Sequence, residues 1–378
     1  MQNKFKKILP GSKIGIMGSG QLGRMFAIEA IQMGYEVSCY SPDFNSPCSK
    51  VGVREVQGDY EDEKKLKSFL GSIDALTFEF ENIPSESLEW IHDFSVRNDL
   101  IVSPSTKSIS IAQNRNIEKQ FFKSIGLPVA NYLYLDSLET FQKLKTEIKF
   151  PCILKTNRFG YDGKGQGKFT TIEDLEIELI RLPFMDHILE EVIPFSKEIS
   201  IIGARFPSGR KSIFPPSENI HKNHILDLTI HPANISAALI EQSREYTNRL
   251  LDGLDYRGVL GLEFFVIGET LICNEFAPRP HNSGHYTQDA SAISQFKLQL
   301  LTLTNFEFAN LATIPNRSIM KNIIGNDWNE NKIVYEKLLE NQNYSYHDYQ
   351  KGEIRAGRKM GHWNYVGNLE YQKAFPLS

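Results

Sequence analysis

Short apolar runs alternate with apolar positions at helical spacing through the first hundred residues. Residues 13–17 form a strand-like run, apolar side chains recur at helical spacing from Leu22 to Gly34, and a second strand-like run covers 36–40. The same pattern predicts helices at 61–70 and 85–94 and strands at 73–80 and 100–102. Regular β/α alternation is typical of a doubly wound parallel sheet, so residues 1–105 are predicted to form one α/β domain.

The pattern changes in the middle region, 106–312. One long helical segment is predicted over 105–126, where Gly126 and Pro128 close the periodic stretch. An α+β subdomain follows at about 117–190, with predicted helices at 137–147 and 172–182 and predicted strands at 150–155, 168–171 and 187–193. Further strands are predicted at 199–206, 258–267 and 271–276.

The last segment, 313–378, is predicted to be a small β-rich domain. It has a strand-like run at 318–324, a helical pattern near 329–340 and a basic, glycine-containing run at 351–359. A phosphate contact by that basic run and a solvated hairpin are both open readings of it.

Composition indicates a globular protein of two or three domains, because 378 residues can build that many cores. The 42 basic and 46 acidic residues give a net charge of −4, which offers no general attraction for nucleic acid. No apolar run approaches the length that crosses a bilayer, so no membrane association is expected. The four cysteines are scattered without C-x-x-C pairs, which favours reduced thiols and a cytoplasmic location.

The first predicted strand leads into a turn, GSGQLG at 18–23, that matches G-x-G-x-x-G. Asp43 follows the second strand at about the distance of the ribose-binding acid in a dinucleotide-binding fold. These features favour an NAD site. The alternatives are that the glycines only let the helix pack closely on the strand, or that the turn serves a different phosphate.

A second glycine-rich stretch, 160–167, follows the strand that ends at Lys155. Glycines let backbone N–H groups approach an anion, and the interleaved lysines add positive charge. This loop is therefore predicted to cover a polyphosphate. The P-loop spacing is absent, and a β-hairpin with a glycine turn is the alternative.

Carboxylates stand alone within two predicted apolar strands. Glu263 lies inside 258–267, and Asn274 and Glu275 lie inside 271–276. A buried carboxylate is costly unless it is paired or binds a metal. Two carboxylates with an adjacent amide form the oxygen-rich site that Mg²⁺ prefers, so Glu263 and Glu275 are predicted metal ligands.

Other polar stretches are candidate binding elements. Glu79 and Glu81 lie at the end of the 73–80 strand, at the edge where open α/β sheets bind ligands, although solvated strand-end charges are the alternative. The 187–193 strand ends at Pro194 as a hinge suited to a nucleotide base, with Glu198 placed for ribose hydroxyls; ordinary surface charge is the alternative. The turn RPHNSGH at 279–285 suits an acidic substrate beside the metal.

Taken together, these motifs resemble those of the ATP-grasp enzymes. The matching stretches are Lys155, GYDGKGQ at 160–166, EEVI at 190–193, Glu198, Glu263, Asn274-Glu275 and RPHNSGH at 279–285. More narrowly, the chain is similar over nearly its full length to the 5-(carboxyamino)imidazole ribonucleotide synthase family of bacterial purine biosynthesis. The resemblance implies an ATP-grasp fold with an N-terminal Rossmann-like pre-ATP-grasp domain and a small C-terminal domain.

The resemblance also implies the reaction. An ATP-dependent ligase of this family carboxylates 5-aminoimidazole ribonucleotide with bicarbonate through carboxyphosphate, releasing ADP and phosphate. The expected cofactors are ATP and Mg²⁺, with Mn²⁺ as a substitute, and the family suggests a homodimer. A related ligase that uses formate or a biotin substrate is the alternative within the superfamily. An NAD-dependent oxidoreductase and a catalytically silent nucleotide-binding module are the alternatives outside it.

Site roles follow from the resemblance residue by residue. Catalytic roles fall on Tyr161, Asp162, Arg279 and Lys351. The nucleotide site is expected to comprise Arg115, Lys155, Gly160, Tyr161, Asp162, Gly163, Lys164, Gly165, Gln166, Glu190, Glu191, Val192, Ile193, Glu198, His221, Asn274 and Glu275. The ribonucleotide site is expected to comprise Gln21, Leu22, Glu79, Arg279, His281, Asn282, Ser283, Lys351 and Arg358. The metal ligands remain Glu263 and Glu275.

Overall fold

A computed structural model describes residues 6–158, 160, 165–181, 186–307, 317–325, 336 and 338–367 of the protein. These residues form three β-sheets of five, nine and four strands. Within the same residues, no helix combines the length and the apolar character that a membrane crossing requires. All four cysteines are buried free thiols, as the sequence indicated.

The first sheet is parallel and sits between helices. Its strands are β1 (Lys13–Met17), β2 (Glu36–Ser41), β3 (Arg54–Gln57), β4 (Ala75–Phe78) and β5 (Ile101–Ser103), in the order β3-β2-β1-β4-β5. The helices are α1 (Gln21–Gln32), α2 (Glu63–Leu70) and α3 (Ser85–Asn98), with a 3₁₀ turn at Ser49–Val51. Apolar clusters around Phe26 of α1 and Phe69 of α2 pack on this sheet. The predicted doubly wound α/β fold is confirmed.

The predicted single helix over 105–126 is wrong, because two helices occupy this segment. They are α4 (Thr106–Ala112) and α5 (Arg115–Ser124). Gln113 donates from its amide to the carbonyl oxygens of Glu81 and Ile83, which ties the end of α4 to the first domain. Asn114 then adopts an extended conformation and its Oδ1 accepts the N–H of Ile117, so it caps a new helix.

The four-stranded antiparallel sheet carries the glycine-rich loop. Its strands are β6 (Tyr132–Leu135), β7 (Cys152–Thr156), β8 (Gln166–Phe169) and β9 (His187–Glu191), in the order β6-β9-β7-β8. The helices α6 (Leu138–Leu144) and α7 (Ile172–Arg181) contribute Phe141 and Leu175 to its small core, and a 3₁₀ turn covers Lys145–Glu147. The loop between β7 and β8 includes residues 159 and 161–164, which lie outside the described part of the chain.

The largest sheet continues from the middle of the chain into its last segment. Its strands are β10 (Lys197–Arg205), β11 (Lys211–Ile213), β12 (Ser217–Lys222), β13 (Ile225–His231), β14 (Gly258–Ile267), β15 (Thr270–Ala277), β16 (Ser318–Ile324), β17 (Tyr344–Asp348) and β18 (Lys359–Val366). Their order is β15-β14-β10-β12-β13-β16-β18-β17, with β11 paired to β10. The antiparallel pairing of β13 with β16 joins the two parts.

Helices α8 (Ala237–Gly253), α9 (Thr287–Ala290) and α10 (Gln295–Thr304) accompany the large sheet, with a 3₁₀ turn at Asn282–Gly284. Of the helix predicted near 329–340, residues 329–335 and 337 lie outside the described residues. Helix α10 packs Phe296 and Leu300 into the core of the first domain, which fixes that domain against the large sheet.

Candidate active site

A polar cleft opens between the three sheets. Its walls come from Glu81 beyond β4, Arg115 on α5, Gly160 after β7, and Glu263 and Glu275 on β14 and β15. The cleft therefore collects, from all three sheets, residues that the sequence marked separately.

The two predicted metal ligands lie on neighbouring strands at an irregularity in their pairing. The register of β14 against β15 shifts between Leu262 and Phe264, so Glu263 alone stands opposite Asn274 and Glu275. An extra residue of this kind bends a strand and re-aims its side chains. Glu263 and Glu275 thereby both line the cleft.

The two carboxylates have opposite protonation tendencies. Burial, and after it the charge of Glu275, raises the pKa of Glu263 to about 7. Burial also acts to raise the pKa of Glu275, but Arg115 outweighs it and the net shift is downward. Arg115 donates from Nη1 to Glu275 Oε2 at 2.8 Å. The pair therefore holds one firm negative charge and a second that a nearby cation would restore.

This donor set fits a divalent cation that is shared with a ligand. Two carboxylates and the Asn274 amide are hard oxygen donors, which Mg²⁺ and Mn²⁺ accept. Across the residues the structure describes, no three His, Cys, Asp or Glu side chains are grouped to hold a metal by themselves. Phosphate oxygens of a bound nucleotide would complete such a coordination shell.

Asn157, directly after β7, fixes the start of α5 beside the cleft. Its carbonyl oxygen accepts the N–H of Arg115 at 3.0 Å, and its Oδ1 accepts the N–H of Asn116 at 2.9 Å. Asn157 is buried. Sequence reasoning missed this residue, because a single asparagine after a strand carries no distinctive signal.

Glu118, one turn further along α5, was also missed. Its carboxylate is buried and accepts the N–H of Phe276 at 2.8 Å, so it holds the backbone of β15 beside Glu275. Burial, and then the charge of Glu275, raises its pKa to about 8.

Lys155 belongs to a buried set of three charges. Glu190 on β9 accepts from Lys155 Nζ at 2.7 Å and from Lys119 Nζ at 2.9 Å. Burial acts to raise the pKa of Glu190, but the two lysines outweigh it and lower the value to about 2. The pKa of Lys155 is lowered because burial outweighs the attraction of Glu190. Glu190 is predicted at the adenine, and in this structure its carboxylate faces the two lysines.

The next residues of the hinge face other partners. The Glu191 carboxylate accepts from Asn131 at 3.0 Å and pairs with Lys149 at 2.9 Å. Val192 and Ile193 follow the end of β9 and are partly exposed.

Glu198 and His221 are brought together by neighbouring strands. His221 Nδ1 lies 2.9 Å from Glu198 Oε2. Burial acts to lower the pKa of His221, but Glu198 and Glu263 outweigh it and the net shift is upward. This pair lines the side of the large sheet that also carries the carboxylate site.

The 279–285 loop connects the carboxylate site to the first domain. Arg279 forms a two-pronged ion pair with Glu81, with Nη2 to Oε1 at 2.8 Å and Nε to Oε2. His281 Nε2 lies 3.2 Å from Glu263 Oε1, and its Nδ1 lies 2.8 Å from Ser283 Oγ. Burial, and then Arg279, lowers the pKa of His281 to about 3, so its contact with Glu263 is a hydrogen bond of a neutral imidazole.

Two further residues of this loop contact the large sheet. Ser200 Oγ on β10 donates to Ser283 Oγ at 2.6 Å. The side-chain amides of Asn282 and Asn322 bond to each other in both directions, at 3.0 and 2.7 Å. The loop therefore meets β10, β14 and β16 at once.

The GSGQLG turn donates its N–H groups to a carboxylate of the protein itself. Glu79 accepts from Gly20 N at 2.7 Å and from Gly23 N at 3.1 Å. These are the groups that would meet the pyrophosphate of a dinucleotide. Asp43, the predicted ribose acid, is exposed. The turn thus lacks free donors for NAD at Gly20 and Gly23, and Gln21 and Leu22 lie between them on the first turn of α1.

The basic run of the last segment lies near this turn. Tyr349 packs in the core of the first domain, and Lys351 Nζ lies 5.6 Å from the centre of its ring. The charge of Lys351 also acts on the pKa of Glu79. Arg358 donates to the Glu353 carbonyl oxygen at 2.9 Å, which leaves its guanidinium at the surface of the run.

Only the ends of the glycine-rich loop are described. Gly160 lines the cleft, and Gly165 accepts the N–H of Thr156 at 2.8 Å. Gln166 Nε2 lies 3.3 Å from His224 Nδ1. The predicted site residues Tyr161, Asp162, Gly163 and Lys164 lie outside the described residues.

Three family models match consecutive parts of the chain. They are the ribonucleotide synthetase preATP-grasp domain over residues 12–113, the ATP-grasp domain over 120–296 and the phosphoribosylaminoimidazole carboxylase C-terminal domain over 318–372. A curated relative, the N5-carboxyaminoimidazole ribonucleotide synthase of Brucella melitensis, is 38% identical over 93% of this chain and 96% of its own.

Solved structures agree with these matches. N5-carboxyaminoimidazole synthetase from Staphylococcus aureus, complexed with ADP, is 32% identical with a TM-score of 0.89 and covers 98% of this chain and 97% of its own. N5-carboxyaminoimidazole synthase from Aspergillus clavatus, in complex with ADP and 5-aminoimidazole ribonucleotide, is 27% identical with a TM-score of 0.85 and covers 95% of each chain.

Proposed function

The chain belongs to the N5-carboxyaminoimidazole ribonucleotide synthase family of ATP-grasp ligases, and we propose how its residues divide the family's reaction between them. The protein carboxylates 5-aminoimidazole ribonucleotide at the expense of ATP, a step of purine biosynthesis. The observation that carries the assignment of residues is the cleft in which Glu263, Glu275, Arg115 and the 279–285 loop meet.

ATP lies, in this proposal, between the four-stranded sheet and the large sheet. Lys155 and Arg115 contact its phosphates, and residues 160–166 cover them. Because the Glu190 carboxylate is committed to Lys155 and Lys119, adenine is received by the backbone of 191–193. Glu198, together with His221, accepts the ribose hydroxyls.

Glu263 and Glu275, helped by Asn274, would hold Mg²⁺, or Mn²⁺ in its place. Such an ion would supply charge neutralisation for the phosphate groups of the bound nucleotide. The raised pKa of Glu263 supports this role, since a buried carboxylate next to Glu275 is stabilised in its charged form by a cation. Arg115, which bonds to Glu275 in this structure, would add a positive charge beside the phosphates.

The ribonucleotide lies across the cleft from ATP. Arg279, His281, Asn282 and Ser283 face its ribose phosphate, and Tyr161 and Asp162 of the glycine-rich loop meet its aminoimidazole. The remaining contacts come from Gln21, Leu22 and Glu79 of the first domain and from Lys351 and Arg358 of the last. Arg279 is well placed for an anion because Glu81 fixes the plane of its guanidinium.

Catalysis in this arrangement consists of alignment, charge neutralisation and exclusion of water. Carboxyphosphate forms from bicarbonate and the γ-phosphate, and the exocyclic amine of the ribonucleotide captures its carboxyl group. A closed glycine-rich loop protects the labile intermediate from hydrolysis. We also propose domain limits near 105 and 312, a homodimer in solution and a cytoplasmic location, and sedimentation of the purified chain tests the dimer.

The assignment is tested by ADP formation in the purified protein. ADP release is expected to require bicarbonate and 5-aminoimidazole ribonucleotide together with Mg²⁺. Equal activity with formate in place of bicarbonate would contradict the substrate assignment. Tight binding of NADH would contradict the proposed role of the GSGQLG turn.

A further inference from the structure

The 279–285 loop is bonded to one buried side chain of α10. Gln295 has no exposed surface, and its Oε1 accepts the N–H of His281 at 2.8 Å. Its Nε2 donates to the carbonyl oxygen of the same residue at 2.7 Å. One amide group thus holds both main-chain polar groups of His281.

The second hydrogen of the Gln295 amide is also used. Nε2 lies 3.0 Å from Nδ1 of His285, a histidine with no exposed surface. A primary amide has two donor hydrogens, and here both are spent, one on His281 and one on His285. Rotating the amide by half a turn would set its NH₂ group against the N–H of His281, so only one orientation satisfies all three contacts.

Gln295 itself is fixed by its surroundings. Its backbone N–H donates to Thr287 Oγ1 at 2.9 Å, and Thr287 donates to the Gly284 carbonyl oxygen at 2.6 Å. Gly284 passes so close that a Cβ there would lie 2.4 Å from Gln295 Oε1. At the start of α10, Ser294 donates to Glu29 on α1 at 2.6 Å, which ties the helix to the first domain.

The side chains of the loop contact several different elements, whereas its backbone is held at His281 by the Gln295 amide. Arg279 reaches Glu81, and His281 reaches Glu263. We propose that Gln295 is a positioning residue that sets the conformation of the 279–285 loop and thereby the affinity of the protein for its ribonucleotide substrate. The inference rests on the proposed assignment of this loop to the ribonucleotide.

The test compares steady-state constants of Gln295→Glu and Gln295→Met with those of the unchanged protein. Gln295→Glu keeps the acceptor for the His281 N–H but sets a carboxylate oxygen against the His281 carbonyl and His285 Nδ1. Gln295→Met keeps the length and removes all three bonds. Both are expected to raise KM for 5-aminoimidazole ribonucleotide about tenfold or more while KM for ATP changes less than about threefold.

Gly284→Ala provides a second route to the same displacement, because a Cβ there would lie 2.4 Å from Gln295 Oε1 and 2.9 Å from Ile202 Cγ1 while the Gln295 amide is kept. It therefore carries the test if the Gln295 variants do not fold. Thr302→Val is the matched control, since Thr302 is a buried residue of the same helix whose hydroxyl bonds to the Gln299 carbonyl oxygen at 2.9 Å. It is expected to lower thermal stability at most and to leave both KM values unchanged.

His281→Ala, measured in parallel, separates the two levels of the argument. If it raises KM for the ribonucleotide and the Gln295 and Gly284 variants do not, the positioning role is overturned and the loop assignment stands. If none of these variants changes that KM, the loop assignment itself fails. An equal rise of both KM values in the Gln295 variants would also overturn the positioning role, because it indicates general loss of structure.

Discussion

The chemistry of the cleft depends at the level of single residues on a pair of unequal carboxylates. Glu275 stays ionised because Arg115 donates to it, whereas burial and the charge of Glu275 raise the pKa of Glu263 to about 7. Such a pair is costly in an empty site and favourable once a divalent cation and phosphate oxygens enter. We therefore expect the ligand-free protein to be strained at this site, and nucleotide with Mg²⁺ to stabilise it.

Glu275→Gln is predicted to abolish turnover without unfolding the protein. The amide keeps the shape of the side chain but loses the charge that would hold the cation, so the rate of ADP formation should fall at least about a hundredfold. Exposed Glu89 on α3 provides the control, because Glu89→Gln makes the same chemical change away from the cleft. Near-normal activity of Glu275→Gln would contradict the two-carboxylate site.

Glu190→Gln is predicted to destabilise the fold and to weaken ATP binding. Removing the anion leaves Lys155 and Lys119 buried together without a partner, which typically costs about 3–5 kcal/mol. Glu139→Gln on α6 is the control, since Glu139 pairs with Lys143 at the surface and such pairs contribute about 0–1 kcal/mol. Urea unfolding and the KM for ATP measure both effects, and equal stability of the two variants would rule out a structural role for the buried set.

The residues found from the sequence and those missed differ in how they stand out from their neighbours. Glu263 and Glu275 were found because a carboxylate inside an apolar strand has few structural explanations. Lys119 and Glu118 lie on α5 among other charged residues, where nothing separates a buried charge from a solvated one. Their roles depend on β9 and β15 packing against this helix, which the local sequence does not encode.

At the scale of elements, the G-x-G-x-x-G turn shows that one motif is compatible with an NAD site and with a turn that binds a carboxylate of the protein itself. The sequence predicts the strand, the turn and α1 correctly, and all three elements are present. The turn differs from an NAD site because Glu79, directly after β4, accepts hydrogen bonds from the N–H groups of Gly20 and Gly23. A glycine pattern indicates that another group can come close to the backbone. Which group does so depends on the residues that the fold places beside the turn.

Gly18→Ala is predicted to destabilise the first domain. Gly18 has a φ of +98°, which side chains rarely adopt, and an added Cβ would lie 2.6 Å from Glu79 Oε1. Strain of this kind costs about 1–3 kcal/mol before the clash is counted. Gly52→Ala is the control, because Gly52 has a φ of +85° with open space around it. Thermal unfolding of the two variants separates clash from strain, and equal shifts would show that Glu79 makes no close contact.

The predicted strands agree with the structure more closely than the single helix predicted over 105–126. Period-two and apolar runs located most strands of the site to within a few residues. The break between α4 and α5 was missed because it comes from the Gln113 contacts with Glu81 and Ile83, and these join segments about thirty residues apart. Capping by Asn114 alone is a weak signal within a periodic stretch.

On the scale of the whole molecule, the last segment belongs to the same large sheet as β14 and β15, which line the cleft. Strand β16 pairs with β13, and buried Lys321 of β16 forms an ion pair with Asp227 of β13. The sequence predicts this segment as a domain but not its pairing with β13, because strand order is not visible in local patterns. Its continuity with β10 and β14 explains how Asn322 can reach Asn282 of the 279–285 loop.

Histidines buried in neutral form on several elements are predicted to lower the stability of the whole molecule as pH drops from 7 to 5, and they outnumber Glu118 and Glu263, whose raised pKa values act in the opposite direction. Burial lowers the pKa of His231 on β13 to about 4, and it lowers the pKa of His285 and His362 well below 6.5. Below pH 6.5 these histidines bind protons in the unfolded chain but not in the folded protein. The stability that is present above pH 6.5 is therefore lost as pH falls from 6.5 toward the lowered pKa values.

His231→Gln isolates one part of this dependence. Glutamine can replace the bond between His231 Nδ1 and Ser217 Oγ, but it binds no proton in either state. From a shift of this size, His231 contributes a loss of about 2 kcal/mol between pH 7 and pH 5, and the variant should lose that much less. His92→Gln is the control, since exposed His92 on α3 meets water in both states. Urea unfolding at the two pH values measures the difference, and equal slopes for His231→Gln and the unchanged protein would show that His231 is not buried in its neutral form.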